Sequence, residues 1–416
     1  MLVDTSPSRK FAPLALLIVS VVSGCTGNES NGPTRSSFVP SVGDGGTATV
    51  GDGGLGPDAA EEASQAAKLL ASRELNYGEA LRTASLKLAG ALPKFETVKA
   101  ILDATSDGDK KTLYEKAIDD LLASPEFVQQ QIKWWRNTFR TGAGPGQDQG
   151  IDFDSAAMFA ASLVASDKPY TDLFTSATGN CPTFANGTFT PKDCGQPPQA
   201  GILTNPGIMA QFYANMAFRR VRFVQETFVC TKFPAEYNPK PTAMGSGLYT
   251  SPWPLTSVTG GKSARIDFQD TSSVICANRH TTMNHLAPLF ANFNDKGQFV
   301  PNQIQVVTPV ESEDPEVRRA RLSDWLPEGQ TPAWRNGTPV ADLPALGAVM
   351  AKDAEIPRCA VNRVWNWAMS RGDIVNDLAS VPPSVTASLT TQFVANGMKV
   401  KPLIRAVFTA DDFVKF

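Results

Sequence analysis

Histidine is the scarcest chemistry-bearing residue here: the 416-residue chain holds two, His280 and His285, both inside the stretch CANRHTTMNH at 276–285. A Ser-His-acid hydrolase would have to draw its base from that stretch. The segment MGSGLYTSPWP offers Ser246 but not the G-x-S-x-G elbow that exposes such a nucleophile. Excess positive charge is also missing. With 38 Lys and Arg against 41 Asp and Glu, the net charge is -3 and the pI about 5.6, which leaves no electrostatic footprint for nucleic acid. Long apolar runs are absent as well, since the longest, at 11–22, falls short of the roughly 20 residues a spanning helix needs. The glycine-rich GAGPGQDQG at 142–150 lacks the Lys-Ser/Thr of a phosphate-binding loop.

What is present begins with export. Arg9 and Lys10 precede the apolar run, and Val22-Ser23-Gly24-Cys25 resembles a lipobox, so residues 1–24 read as a lipoprotein signal peptide and Cys25 as the lipidated residue. Thr26 stands where an inner-membrane retention signal would place Asp, which points to the outer membrane. Residues 25–62 are poor in large apolar side chains and carry GDGG twice, at 43–46 and 51–54. Such a composition cannot offset its ordering entropy by burial, and it reads as a flexible tether. The rest divides into a helical segment at 63–205, a middle region at 206–310 and a second helical segment at 311–416.

The expected fold class is mainly α, with bundle-like helical domains around a loop-rich middle. Apolar residues recur at helical spacing through Leu113, Ala117, Ile118, Leu121 and Leu122, then through Phe127, Val128, Ile132, Trp135 and Phe139. Between them, Ser124-Pro125-Glu126 supplies an N-cap, a first-turn proline and a favourable first-turn acid. Near the other end, Pro357 opens a stretch with Val361, Val364, Trp365 and Ala368 on one face, and Gly372 is the expected left-handed cap. Val385, Leu389 and Phe393 make a further helix before Gly397, and Leu403, Ile404, Val407 and Phe408 a last one entered through Pro402. A helix is expected near 209–228, and strand-like alternation at 303–307. Trp134, Trp135, Trp365 and Trp367 sit at core spacing, although such faces also serve as sugar platforms. Asp148, Asp152 and Asp154 read as a solvated acidic loop before they read as calcium ligands.

Cysteine parity bears on CANRHTTMNH. With Cys25 lipidated, five cysteines remain in an oxidising compartment, so at least one cannot pair within the chain. Cys181 and Cys194 bracket a Gly/Asn/Pro loop and are the expected disulfide.

Five segments carry a resemblance: DDLLASPEFVQQQIKWWRNTF, GILTNPGIMAQFYANMAFRRVRFVQETFVC, CANRHTTMNHLAPLFANFNDKGQF, RCAVNRVWNWAMSRGDIV and KVKPLIRAVFTADDF. Together and in this order they resemble the exported bacterial cytochrome-associated families of the PSCyt and PSD type, mostly of unknown function. In the central block Cys276, His280, Met283, Leu286, Phe290, Asn292, Phe293 and Gly297 match the pattern of those families. Arg279 stands where the second thioether cysteine of C-x-x-C-H would be, Asn284 and His285 replace Asp-Pro, Ala287 replaces Gly, and Ala291 and Asn294 replace two acids. The resemblance also implies a bridge between Cys230 and Cys359, with Cys230 to Cys276 as the alternative.

Three readings of the stretch follow. Cys276 and His280 are structural remnants of a degenerate haem motif; or they hold a haem c through one thioether, with Met244, Met350 or Met369 as the sixth ligand; or His280, His285 and Cys276 bind a metal, which on a continuous helix fails because the two histidine positions lie about 140° apart. The first is preferred. No cofactor is expected on it, haem c being the alternative, and no catalytic or metal residue is assigned. The functional expectation is a cell-envelope binding or scaffold module, not an enzyme, held to the membrane by its lipid anchor and working through an envelope protein partner. The alternatives are an electron-transfer protein and an enzyme acting on envelope polysaccharide.

Overall fold

Ser124 and Pro125 divide the first long amphipathic stretch as the sequence indicates. In the computed structural model the Ser124 hydroxyl accepts from the Phe127 amide at 3.2 Å and donates to the Leu121 carbonyl at 2.8 Å, so one side chain ends one helix and begins the next. The structure describes residues 71–142, 150–195, 198–213, 217–230, 274–301, 337–372 and 381–416, together with Lys68 and shorter stretches between 243 and 335.

The fold is mainly α. An N-terminal set comprises α1 (Tyr77–Leu88), α2 (Phe95–Asp103), α3 (Asp107–Leu122), α4 (Pro125–Phe139), α5 (Ser155–Ala165) and the short α6 (Asp172–Thr175). A hairpin of β1 (Thr183–Ala185) and β2 (Thr188–Thr190) follows, and its two-residue loop puts Asn186 and Gly187 at φ 51° and 78°. That pair of positive angles suits the hairpin turns that Asn-Gly favours. Next come α7 (Pro206–Gln211), α8 (Phe218–Phe228) and α9 (Val274–Phe290), with the short pairs β3 (Ala243–Met244) with β4 (Gly247–Leu248) and β5 (Gln305–Val307) with β6 (Val317–Arg319). The chain closes with α10 (Leu343–Met350), α11 (Glu355–Ala368), α12 (Pro383–Ala395), α13 (Val400–Phe408) and α14 (Asp411–Val414).

The last helices pack on the first ones. The Tyr114 hydroxyl of α3 donates to the Phe408 carbonyl of α13 at 2.6 Å, and Arg405 of α13 pairs with Asp119 of α3 at 2.6 Å. Backbone bonds run both ways between Glu74 and Phe416, and an antiparallel bridge joins Leu75 to Lys415. An aromatic web ties the interior: Trp134 to Trp367 at 5.5 Å, Tyr170 to Phe174 at 6.1 Å and Phe174 to Phe228 at 5.7 Å. Trp134, Trp135 and Trp365 are buried, so these indoles are core and not a sugar platform.

Local departures have local causes. The single helix expected near 209–228 is two, α7 and α8, because Ala217 takes the left-handed conformation at φ 63°. Helix α11 ends on Ser370 at φ 54°, not on Gly372, and the Arg371 amide returns to the Asn366 carbonyl at 2.8 Å. Leu113 and Val385, placed by periodicity on apolar faces, are exposed, while Tyr114 and Thr386 beside them are buried.

Candidate functional site in helices α8 and α9

Helix α8 reads FRRVRFVQETF, and two of its charged residues are buried: Arg220 is 1% exposed and Glu226 0%. Arg220 shares a helix face with Phe223, Val224 and Thr227, so packing that face carries the guanidinium inside. Its partners are all backbone carbonyls. Nε donates to Met209 at 2.9 Å, Nη1 to Phe290 at 2.7 Å and to Phe293 at 2.9 Å, and Nη2 to Met209 at 2.5 Å and Asn294 at 3.1 Å. Met209 lies in the last turn of α7 and Phe290 ends α9, where carbonyls lack helical partners and the dipole is negative. Arg220 therefore welds two helix ends to α8. Burial lowers its pKa to about 9, against the smaller opposing influence of Tyr213, whose ring lies 5.2 Å below the guanidinium.

Glu226 is held differently. Arg140, at the left-handed cap of α4, reaches it at 2.9 Å, and Arg222 reaches its other oxygen at 2.6 Å. Two charge-assisted bonds compensate the burial of this carboxylate. At the C-terminal end of α8, Arg363 of α11 donates to the Thr227 and Glu226 carbonyls, both at 3.1 Å. Just beyond, Cys230 is bonded to Cys359, and Cys181 to Cys194 closes the loop around β1 and β2. Both expected bridges are formed.

Helix α9 carries the stretch 276–285. Cys276 and His280 lie in its N-terminal half, and their side chains are outside the described residues. The helix is unbroken from Val274 to Phe290, so the positions of His280 and His285 are about 140° apart round its axis. Thr282, Met283, Asn284 and His285 are buried, and the His285 carbonyl accepts from the Ala333 amide at 3.1 Å. After the helix, the side-chain oxygen of Asn294 accepts from the amides of Lys296 at 3.0 Å and Gln298 at 2.9 Å. That turn requires Gly297, which sits at φ 69° and whose added Cβ would strike the Pro206 carbonyl.

A haem c here would rest on Cys276 and His280, and the donor set is one thiol short because position 279 is arginine. Of the methionines named as axial ligands, Met350 is buried in α10, Met369 follows α11 and Met244 lies in β3. Among the described residues no group of three His, Cys, Asp or Glu is arranged to hold a metal. Cys25 and Asp148 lie outside the described residues. Asp152 is exposed and accepts from the Asp154 amide at 2.9 Å, while Asp154 is gripped on both oxygens by Arg136 at 2.6 Å each and so is one half of an ion pair.

The sequence reading missed Arg220, Glu226 and Arg363. Their signal is faint but present: each is a charge on the apolar face of its own helix, where a solvated residue has no place.

No curated protein and no solved structure matches the chain. Residues 59–182 match the PSCyt2 family, described as a protein of unknown function (DUF1549), which covers α1 to α6 and stops short of α8 and α9.

Proposed function

We propose that the chain is a cell-envelope lipoprotein, anchored through Cys25, that binds or scaffolds an envelope protein partner and has lost two-point haem attachment at 276–280. The observation that carries this reading is the use to which the interior charges are put. Arg220 and Arg363 are taken up by backbone carbonyls, and Glu226 by Arg140 and Arg222. Asp353 likewise accepts from the Trp334 indole at 2.6 Å and pairs with Arg335. Groups so engaged hold helices in place and are not presented to a substrate. The tether at 25–62 would keep the helical part off the outer membrane, and the balanced charge gives no attraction to nucleic acid.

A single-thioether haem is the second reading, favoured by one observation: the two bridges engage Cys181, Cys194, Cys230 and Cys359 and so leave Cys276 out of both. Purification of the full chain from a host with cytochrome maturation, followed by a pyridine haemochrome assay, separates the two. The scaffold reading expects no absorption near 400 nm and membrane association that Cys25→Ser abolishes. Colour that stays with the polypeptide in acidified organic solvent, and is lost in Cys276→Ala, overturns it in favour of haem.

A further inference from the structure

Helix α8 opens with basic residues at the end where its dipole least favours them. Arg219 and Arg222 stand in its first turns, and Ala217 precedes them with no side-chain cap. Arg140 joins the same face through Glu226. Three guanidiniums thus stand near one carboxylate that bonds two of them, and among the described residues three positive charges less one negative leave a local charge of +2. Glu226 bonds Arg140 on one oxygen and Arg222 on the other, whereas Arg219 bonds, among the described residues, the Tyr213 carbonyl at 3.4 Å. One turn back on α4, Arg136 and Asp154 form a closed pair and add no net charge.

The cluster is open and held in place. The Arg140 and Arg222 side chains are 30% and 47% exposed, and Glu226 is wholly covered beneath them. Each of the two spends a single nitrogen on Glu226, which leaves further N–H donors on both forks. Arg140 is fixed further by its left-handed backbone at φ 55° and by the Phe212 ring 5.7 Å from its guanidinium carbon. Thr141, next along the chain, keeps a buried hydroxyl without a partner. Arg219 is lowered below the ordinary arginine value, first by desolvation and then by the neighbouring charges of Arg222 and Arg140.

We propose that Arg140, Arg219 and Arg222 form a binding site for a tetrahedral oxyanion, a phosphate or sulfate group taken as the free ion or as the monoester of a larger ligand. Planar guanidinium forks match such oxygens pairwise, and the first amides of α8 add their own attraction for negative charge. With the whole chain at -3, the attraction is local to this face. The site lies on α4 and α8, apart from position 276, and stands whether or not haem is carried.

The test is calorimetric titration of the full chain at low ionic strength with inorganic phosphate, sulfate and glucose 6-phosphate, with chloride at matched ionic strength as control. Saturable binding of the oxyanions and not of chloride is expected. Arg219→Gln should weaken it about tenfold or more, as the loss of a charge-assisted bond implies, without moving the melting midpoint, because Arg219 does not touch Glu226. Tighter binding of glucose 6-phosphate than of phosphate assigns the monoester, and equal affinity the free ion. Absence of saturable oxyanion binding, or an affinity that Arg219→Gln changes by less than about threefold, overturns the proposal.

Discussion

Arg220 donates to the carbonyl of Phe290 at 2.7 Å across 70 positions of chain. This bond joins α8 to the end of the helix that carries CANRHTTMNH, and it fixes where that helix stops. An arginine serves because its planar fork can meet carbonyls from two helix ends and the following turn at once, which a single ammonium cannot.

Arg220→Met is therefore expected to lower the unfolding free energy by about 3 kcal/mol or more, since it takes the guanidinium donors from the carbonyls of Met209 and Phe293 and leaves those of Phe290 and Asn294 with only the amides of Phe293 and Gly297. Arg220→Lys should recover only part of that. Urea denaturation of the two variants beside the parent chain measures both, and equal stability of the Met variant would remove the weld from the account.

Alkaline pH should act through Tyr114. Burial, then Tyr77 and Glu115, raises its pKa well above the ordinary tyrosine value, and Tyr77 is raised as well. The unfolded chain releases these protons near pH 10, while the fold retains them. The folded state then binds more protons than the unfolded one, so this contribution is fully present below pH 10 and falls as pH rises further, by about 1.4 kcal/mol per unit for Tyr114. Tyr114→Phe should shallow that fall, as read from melts between neutral pH and pH 11.

The two disulfides should differ in weight. On the chain-entropy relation, a bridge closing 129 residues contributes about 5 kcal/mol and one closing 13 about 3 kcal/mol. Cys230→Ser with Cys359→Ser is thus expected to cost more than Cys181→Ser with Cys194→Ser. Denaturation midpoints of the two double variants in oxidising buffer give the order.

Gly297→Ala should destabilise by about 1–3 kcal/mol, because the position combines a left-handed φ of 69° with contact against the Pro206 carbonyl. Thermal melting checks it. A neutral result would mean that the turn after α9 relocates freely.

What could be read in advance was what neighbours in sequence decide. Ser124-Pro125 announces its helix break because cap and proline act within four residues. Cys181 and Cys194 announce their bridge because the loop between them is short. Ala217 announces nothing: alanine carries no turn preference, so its left-handed backbone leaves no mark in the sequence. Arg220, Glu226 and Arg363 look like surface charges in the sequence, since the carbonyls and counter-charges that permit their burial come from other helices. Tyr114 was overlooked for the same reason, because its hydroxyl finds a partner 294 positions away.

The paired backbone of Glu74 and Phe416 has a mechanical consequence. Because the two strands run antiparallel and their outer ends lie side by side, a pull between them loads the ladder as a zipper and not in shear. The bonds of Glu74 would part before that of Asn76 with Val414, so tension between Glu74 and Phe416 would peel this edge stepwise while the helices behind it stayed seated.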